Sequence, residues 1–564
     1  MPTGALEYHE RTKHSPRSVR EGSKGLDFDN KPTPYKEYVD LPTRPLAERI
    51  RPPQQPALSA VAESTPDGEP SRGHDRAPDL ETVTTLCYYA AGITKEIELR
   101  NRTKLFRAAA TTGALYHVDL YVVCGDLEGG ESDTATTESL EAGVYHFDPR
   151  TCSLDVLREG DYRGVLVAAT EYDAVADAPL SVVATSTWWR NAWKYEERTF
   201  RHAFWDSGTT LANLLAVAHA LDYRAEVITG FADRPVADLL GVDPEREAPL
   251  EIVPIGAGEP LSDETSADID PIDPDTDPLS SNEKEFPLIH EAWRAGVLKD
   301  GAAADAWRTG GPTAHRPIGT RDPGDGERVP LEPVGPETAS SRPLHRTIRR
   351  RGSCREYERD PISFRKLSTV LDRAVRGVPI DVRREAERRE VSEERAGVAG
   401  SERSEGHGKA SGETASEQRH ASRDDDPPLS FCDAYLIVNG VDGLEAGTYH
   451  YHPDGGELER LRAGEFRQEA SHLALDQRLA GDAAVCVYFL TDLEEIVDSF
   501  GDRGYRAAQL EAALTAGRLY LGTYAHLRLG GTGLTFYDDV VTDFFAPRAT
   551  GQTPLFLYTM GRPA

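Results

Sequence analysis

The chain has 564 residues and a formal net charge of −31, a length beyond one ordinary core, so two domains of about 150 to 200 residues are expected. The acidic balance repels a bare phosphate backbone and excludes nucleic acid as a partner. There is no run of roughly 18 apolar residues to span a membrane, and the start MPTGALEYHERTKHSPR lacks the apolar core of a signal peptide, so the expected location is cytoplasmic.

In chain order, residues 1–61 are rich in Pro, Arg and His without periodicity and predict an extended N-terminal arm. A linker follows over 62–78. Residues 78–258 read as a globular domain: a helix at LETVTTLCYYAAGI, a strand at ALYHVDLYVVC, a hairpin around AGVYHFDP, a long aromatic helix from Trp188 to Leu221, and a closing strand LEIVPIG. Residues 259–342 form an acidic linker dense in Asp, Pro, Gly and Ser, within which EFPLIHEAWRAGVL predicts a short docking helix. The second domain spans 343–564. It opens with a helix at PISFRKLSTVLDRAV, whose Phe364, Leu367, Val370, Leu371 and Ala374 share one face. Residues 383–428 carry hardly any apolar side chain and predict a disordered insertion. Beyond it come strands at FCDAYLIVNGV, AGTYHYHP and DAAVCVYFL, a long helix at YRAAQLEAALTAGRLYLGTYAHL, and a last strand at LFLYTMG.

AGVYHFDP at Ala142 and AGTYHYHP at Ala446 lie 446 − 142 = 304 positions apart, and SLDVLREGDYR answers ELERLRAGEFR after them. The likeness predicts an internal duplication. Six cysteines, at 87, 124, 152, 354, 432 and 486, form no CxxC pair and are expected to be reduced. Only eleven of the 64 basic residues are Lys, a pattern that resembles salt-adapted proteins.

RRRGSCREY, from Arg349 to Tyr357, is the densest basic cluster. Its guanidiniums and hydroxyl suit a phosphate, with charge-assisted hydrogen bonds of about 1.5 to 3 kcal/mol each, or else form a solvated charge run. His450 and His452, two apart on a strand, could chelate a metal, but the repeat places His146 and Asp148 there in a hairpin role, so no metal site is expected. LGGTG lacks the strand and spacing of a Rossmann loop, and Cys354 is expected to pack.

RGSCREY followed by PISFRKLSTVL resembles the opening signature of the nitroreductase family. ATTGALYHVDLYVV, the leader YHERTKHSPRS with LDFDNKPTPYKEY, and WKYEERTFRHAFWDSG resemble segments of its SagB/ThcOx-type dehydrogenase branch. The resemblance implies an α+β fold of antiparallel-rich sheet flanked by helices, with FMN held between two protomers. The second half carries RGSCR without GALY, and the first carries GALY without RxSxR. Two tandem nitroreductase-like domains forming an intrachain pseudo-dimer, with one composite flavin site and one decayed site, are therefore expected.

By the same resemblance, Arg351, Ser353 and Arg355 contact the FMN phosphate and ribityl chain, with Arg562 as a further basic residue. Thr111, Gly113 and Ala114 form the GALY loop, in which Ala110 and His117 replace two family prolines. Leu534 and Thr535, in LGGTGLTFYDD, adjoin the flavin ring, with Phe536 in place of a glycine. Lys194 and Tyr195 match a Lys-Tyr pair of azoline-oxidising members and are the candidate proton-handling residues. The implied substrate is a small organic or peptide-borne ring. NAD(P)H as electron donor to a nitro or quinone reductase, and a flavin-free scaffold, are the alternatives.

Overall fold

The computed structural model describes residues 4–22, 25–46, 50–63, 78–99, 102–128, 131–132, 135–136, 139–258, 261, 269–309, 319–335, 342–382 and 430–564. The expected insertion at 383–428 and most of the 62–78 linker lie outside them. Among the described residues, no helix is long and apolar enough to cross a membrane.

Two antiparallel sheets carry the fold. The first runs in the order Thr43–Pro45, Ser153–Glu159, Gly143–Asp148, Val118–Cys124, Leu180–Thr187, Glu247–Ile255. The second runs Glu327–Pro330, Glu457–Ala463, Gly447–His452, Asp433–Val438, Val485–Thr491, Thr553–Pro563, and is extended by Tyr357–Glu358 on one edge and by Gly530–Leu534 beside the last strand. The first six strands of the second sheet repeat the order of the first. Even the octapeptides keep their places, since Tyr121 pairs with His146 and Tyr435 with His450. Both faces of these strands are buried, so Val118–Cys124 shows none of the solvent alternation of a one-sided sheet.

Helices Thr199–Ala220 and Leu493–Ala525 pack together between the sheets. A Cβ on Gly208 would lie 2.7 Å from that of Ala513, and one on Gly517 would lie 2.5 Å from that of Ala212. The close approach depends on bare glycine on one helix facing alanine on the other, twice over. Phe200 stacks on Tyr505 at 6.2 Å and 2° between them.

A buried arginine pair accompanies each helix, Arg198 standing at the N-cap of the first. Arg198 and Arg201 hold Asp538 at 3.3 and 2.6 Å, while Arg503 and Arg506 hold Asp233 at 2.6 and 2.7 Å. The spacing is shared, because 503 − 198, 506 − 201 and 538 − 233 all equal 305. Every clamp joins a helix of one half to a helix start of the other. Burial alone would raise the Asp538 carboxyl, but Arg198 and Arg201 outweigh it and hold it well below the usual carboxylate range.

The clamps correct two expectations. The N-terminal arm is not extended: it forms helices Ala5–Arg11, Pro16–Glu21 and Ala57–Glu63. The backbone carbonyls of His9 and Thr12 accept from Arg201 and Arg198, so tertiary contacts impose a helix where local pattern gave none. The acidic linker likewise contributes the expected helix Pro287–Ala295, a second at Gly301–Thr309 and an edge strand at Glu327–Pro330. There the carbonyls of Trp293 and Gly296 accept from Arg506 and Arg503, as His9 and Thr12 do in the other clamp.

Removing Asp538 or Asp233 leaves two buried guanidiniums without their counter-charge. Asp538→Ala and Asp233→Ala are each expected to lose about 3–5 kcal/mol, read as a lower midpoint in urea denaturation.

Glu251 poses the opposite case. Ser207 donates to one of its oxygens at 3.0 Å and the other has no partner among the described residues. Burial pushes its carboxyl up to about 8. A raised carboxyl stabilises fully below its unfolded value of about 4.3 and loses that contribution as pH rises through the folded value. Glu251→Gln should therefore gain stability over the parent at pH 9 and little at pH 4, when melting is followed at both.

Candidate functional site

The aromatic helix expected from Trp188 to Leu221 is broken. Trp188–Tyr195 ends at Glu196, which has φ 49° and ψ −133°, and Thr199–Ala220 follows after one tight turn. The break aims Tyr195 at the loop around Thr111–Ala114. A Cβ on Gly113, whose φ is +62°, would lie 2.9 Å from the Tyr195 hydroxyl, so both backbone and contact require glycine there. Ala114 and Tyr116 share the left-handed conformation.

A buried polar network holds this loop. The Asp206 carboxylate accepts from the Thr112 amide at 2.8 Å and its hydroxyl at 3.0 Å, and lies 2.9 Å from His117 Nε2. Asn191 donates to the Thr112 hydroxyl at 2.7 Å, while its oxygen lies 2.9 Å from His202 Nδ1 and accepts from Thr199 at 3.0 Å. The His202 ring stands edge-on to Tyr195 at 4.6 Å. Burial first, and then the Arg198 charge, hold His202 far below ordinary histidine, so it is neutral. Sequence reasoning missed Asn191, His202 and Asp206 as site residues. The replacement of a family proline by His117 was their one signal, since an imidazole there needs a buried partner.

The second half closes the site. Arg351 donates to the carbonyl oxygens of Arg107, Ala108 and Ala109 at 2.9–3.0 Å, fastening the segment that leads into the loop. Ser353 is half-buried, and the Cys354 amide donates to Gly531 at 3.1 Å, which ties RGSCR to the strand ending at Leu534. Thr535 follows, with Phe536 packed 6.0 Å from Trp205 of the first half. Arg355 is exposed, and its charge acts on both Lys194 and Tyr195. Two predicted phosphate contacts are engaged elsewhere: Arg351 is taken up by the three carbonyls of Arg107, Ala108 and Ala109, which corrects its expected role, and Arg562 is held in ion pairs with Glu358 at 2.7 Å and Asp360 at 2.8 Å.

Electrostatics separates the candidate pair. Lys194 Nζ sits 4.8 Å from the centre of the Tyr195 ring. Desolvation and then Arg355 lower the Lys194 ammonium from its ordinary value although the side chain reaches solvent. Burial and then Asp206 push the Tyr195 phenol well above its own, with Arg355 opposing. The two neighbouring groups are thus shifted in opposite directions, the ammonium down and the phenol up. Thr111 Oγ1 and Thr535 Oγ1, one from each half, are buried without a hydrogen-bond partner among the described residues.

The other sequence candidates are engaged. Donor atoms of His450, His452 and Glu459 lie within 4.8 Å of one another, yet His450 Nε2 meets Asp433 at 2.9 Å, His452 meets Glu459 at 2.9 Å, and the Arg548 guanidinium stands 3.6 Å from Glu459. A cation is already there. Burial raises the Cys354 thiol, which keeps it protonated. LGGTG is strand, paired along Thr553–Pro563.

Glu196 occupies a backbone region that costs a side-chain-bearing residue about 1–3 kcal/mol. Its counterpart 305 positions on is Gly501, with φ 62° and ψ −166°. Glu196→Gly should stabilise the fold by that order, seen as a raised denaturation midpoint, while loosening the Lys194–Tyr195 turn.

Residues 75–257 match the nitroreductase family model. A Methanocaldococcus jannaschii protein named as a putative nitroreductase is 24% identical over 178 residues, which is 31% of this chain and 80% of that protein. The crystal structure of a putative nitroreductase from Anabaena variabilis superposes with a TM-score of 0.68 at 25% identity, covering 99% of both chains. The α+β fold is nitroreductase-like, and the chain carries a nitroreductase-family domain over residues 75–257.

Proposed function

We propose that the protein is an FMN-dependent oxidoreductase of the SagB/ThcOx type, built from two tandem nitroreductase-like domains that form an intrachain pseudo-dimer around one flavin. The observation that carries this reading is the meeting of Gly113, Lys194 and Tyr195 from one half with Arg351 and Arg355 from the other. The two orphaned hydroxyls, Thr111 and Thr535, fit a bound polar ring system that would supply their missing partners.

In this reading Arg355 and Ser353 hold the phosphate end. Arg351 fastens the loop from behind while Thr111, Gly113, Ala114, Leu534 and Thr535 line the ring. FMN supplies hydride exchange when bound. Tyr195 donates a hydrogen bond to substrate, and Lys194, its ammonium lowered chiefly by desolvation, takes or returns the substrate proton. The substrate is a small organic or peptide-borne ring, handled in the cytoplasm. Arg562 stays in its ion pairs and contributes to the edge of the sheet.

The absorption spectrum of the purified protein tests the reading, with a flavin band expected and a colourless protein that cannot be reconstituted with FMN sinking it. Arg355→Ala should weaken FMN binding roughly 10- to 100-fold, the loss of one charge-assisted contact. Lys194→Ala should retain flavin and lose turnover, and normal turnover would remove Lys194 from the mechanism.

A further inference from the structure

The 305-residue correspondence that relates the two clamps also relates the candidate site to a second place in the molecule. Tyr195 maps to Phe500, Glu196 to Gly501, and Thr535 to Gly230. Both turns after the aromatic residue carry positive φ, at Glu196 and Gly501. The helix before RGSCR, Leu344–Arg350, likewise faces Ala57–Glu63 through reciprocal backbone hydrogen bonds, from Ala57 to Arg342 and from Leu344 to Gln55. After Ala57–Glu63 the sequence reads STPDG where the other copy has RGSC.

That second place is filled. Trp307, on Gly301–Thr309, donates its indole N–H to the Phe500 carbonyl at 2.8 Å, and its ring lies 6.1 Å from the Phe500 ring. Its Cε3 comes within 3.0 Å of where a Cβ on Gly230 would stand. Arg308 beside it donates to the Gly230 carbonyl at 2.7 Å. Asp381 accepts from the Thr229 amide at 2.8 Å and the Gly230 amide at 2.9 Å, and lies 3.6 Å from the Arg308 guanidinium. An indole therefore sits between the counterparts of Tyr195 and Thr535.

We propose that Trp307 and Arg308 close the second, pseudo-symmetric cofactor site from within the chain, the indole taking the place of a planar ring. The inference rests on the reading of the first site as a flavin site. It assigns a purpose to the helix Gly301–Thr309, which the sequence left inside a linker, and it makes the second site a structural slot for an aromatic ring.

The test uses the full chain in two arms. Flavin released from saturated wild-type protein is measured against protein, and one equivalent is expected. Two equivalents overturn the proposal while leaving the flavin reading intact. The second arm needs no flavin: Trp307→Ala should melt several degrees below the parent, and millimolar free indole should restore most of the loss. Unchanged melting, or a loss that indole leaves untouched, overturns the proposal even if the first site is sound. Should Trp307→Ala fail to fold, Trp307→Phe keeps a ring in the slot and should melt between the two extremes, and a Phe variant as stable as the parent counts against the slot. A protein without flavin that still shows indole rescue would sink the flavin reading alone.

Discussion

Two buried Arg–Asp–Arg clamps hold the halves in one arrangement, and everything at the candidate site follows from that arrangement. Taking three charges out of water is expensive, and an apolar substitute can be as stable. What a clamp adds is direction. Arg198 and Arg201 must find Asp538 and the carbonyls of His9 and Thr12, so one helix, one helix start and one leader segment are fixed together. The second clamp fixes the corresponding set with Trp293 and Gly296. Between them the long helices approach closely enough for Gly208 and Gly517 to be required.

The site lies one turn before the first clamp. Tyr195 immediately precedes the tight turn Glu196–Arg198, so the strained Glu196 lies in the same turn as an arginine ion-paired to Asp538. The second copy relaxes that strain with Gly501. A side chain in a costly conformation on one side, and glycine at the same point on the other, distinguishes a turn kept for its geometry from one kept for the fold.

Much of the fold was legible in the sequence. The strands marked by the octapeptide repeat occupy matching places in the two sheets. Leu80–Ala91, Phe364–Ala374 and the closing strands fall where periodicity put them. The N-terminal helix and Gly301–Thr309 were not legible, because each is stabilised by partners far off in the sequence rather than by an apolar stripe of its own. The hairpin Ile93–Leu99 with Arg102–Arg107 was also missed, its charged residues hiding the strand pattern. Within the candidate site, the approach of Tyr195 to Gly113 joins two segments that the motifs had already singled out. The polar network of Asn191, His202 and Asp206 could not be named from the chain, since hydrogen-bond partners in a core are set by packing.

On the proposed reading of two tandem domains, one copy of each element is freed from the chemistry once the clamps secure assembly. Each clamp needs only two arginines, one aspartate and two carbonyls, none of them in RGSCR or the GALY loop. The absence of RGSCR from the first half therefore leaves both clamps untouched. Without Trp307, the apolar surface of Phe500 would stand open, and unburied apolar surface is a standing cost. Trp307 buries that surface, and pairing Arg308 with Asp381 and the Gly230 carbonyl satisfies the polar rim. On the proposed reading, the asymmetry of the molecule follows from its pseudo-symmetry: corresponding clamps fix two corresponding places, and the chain supplies an indole to the one that lacks RGSCR.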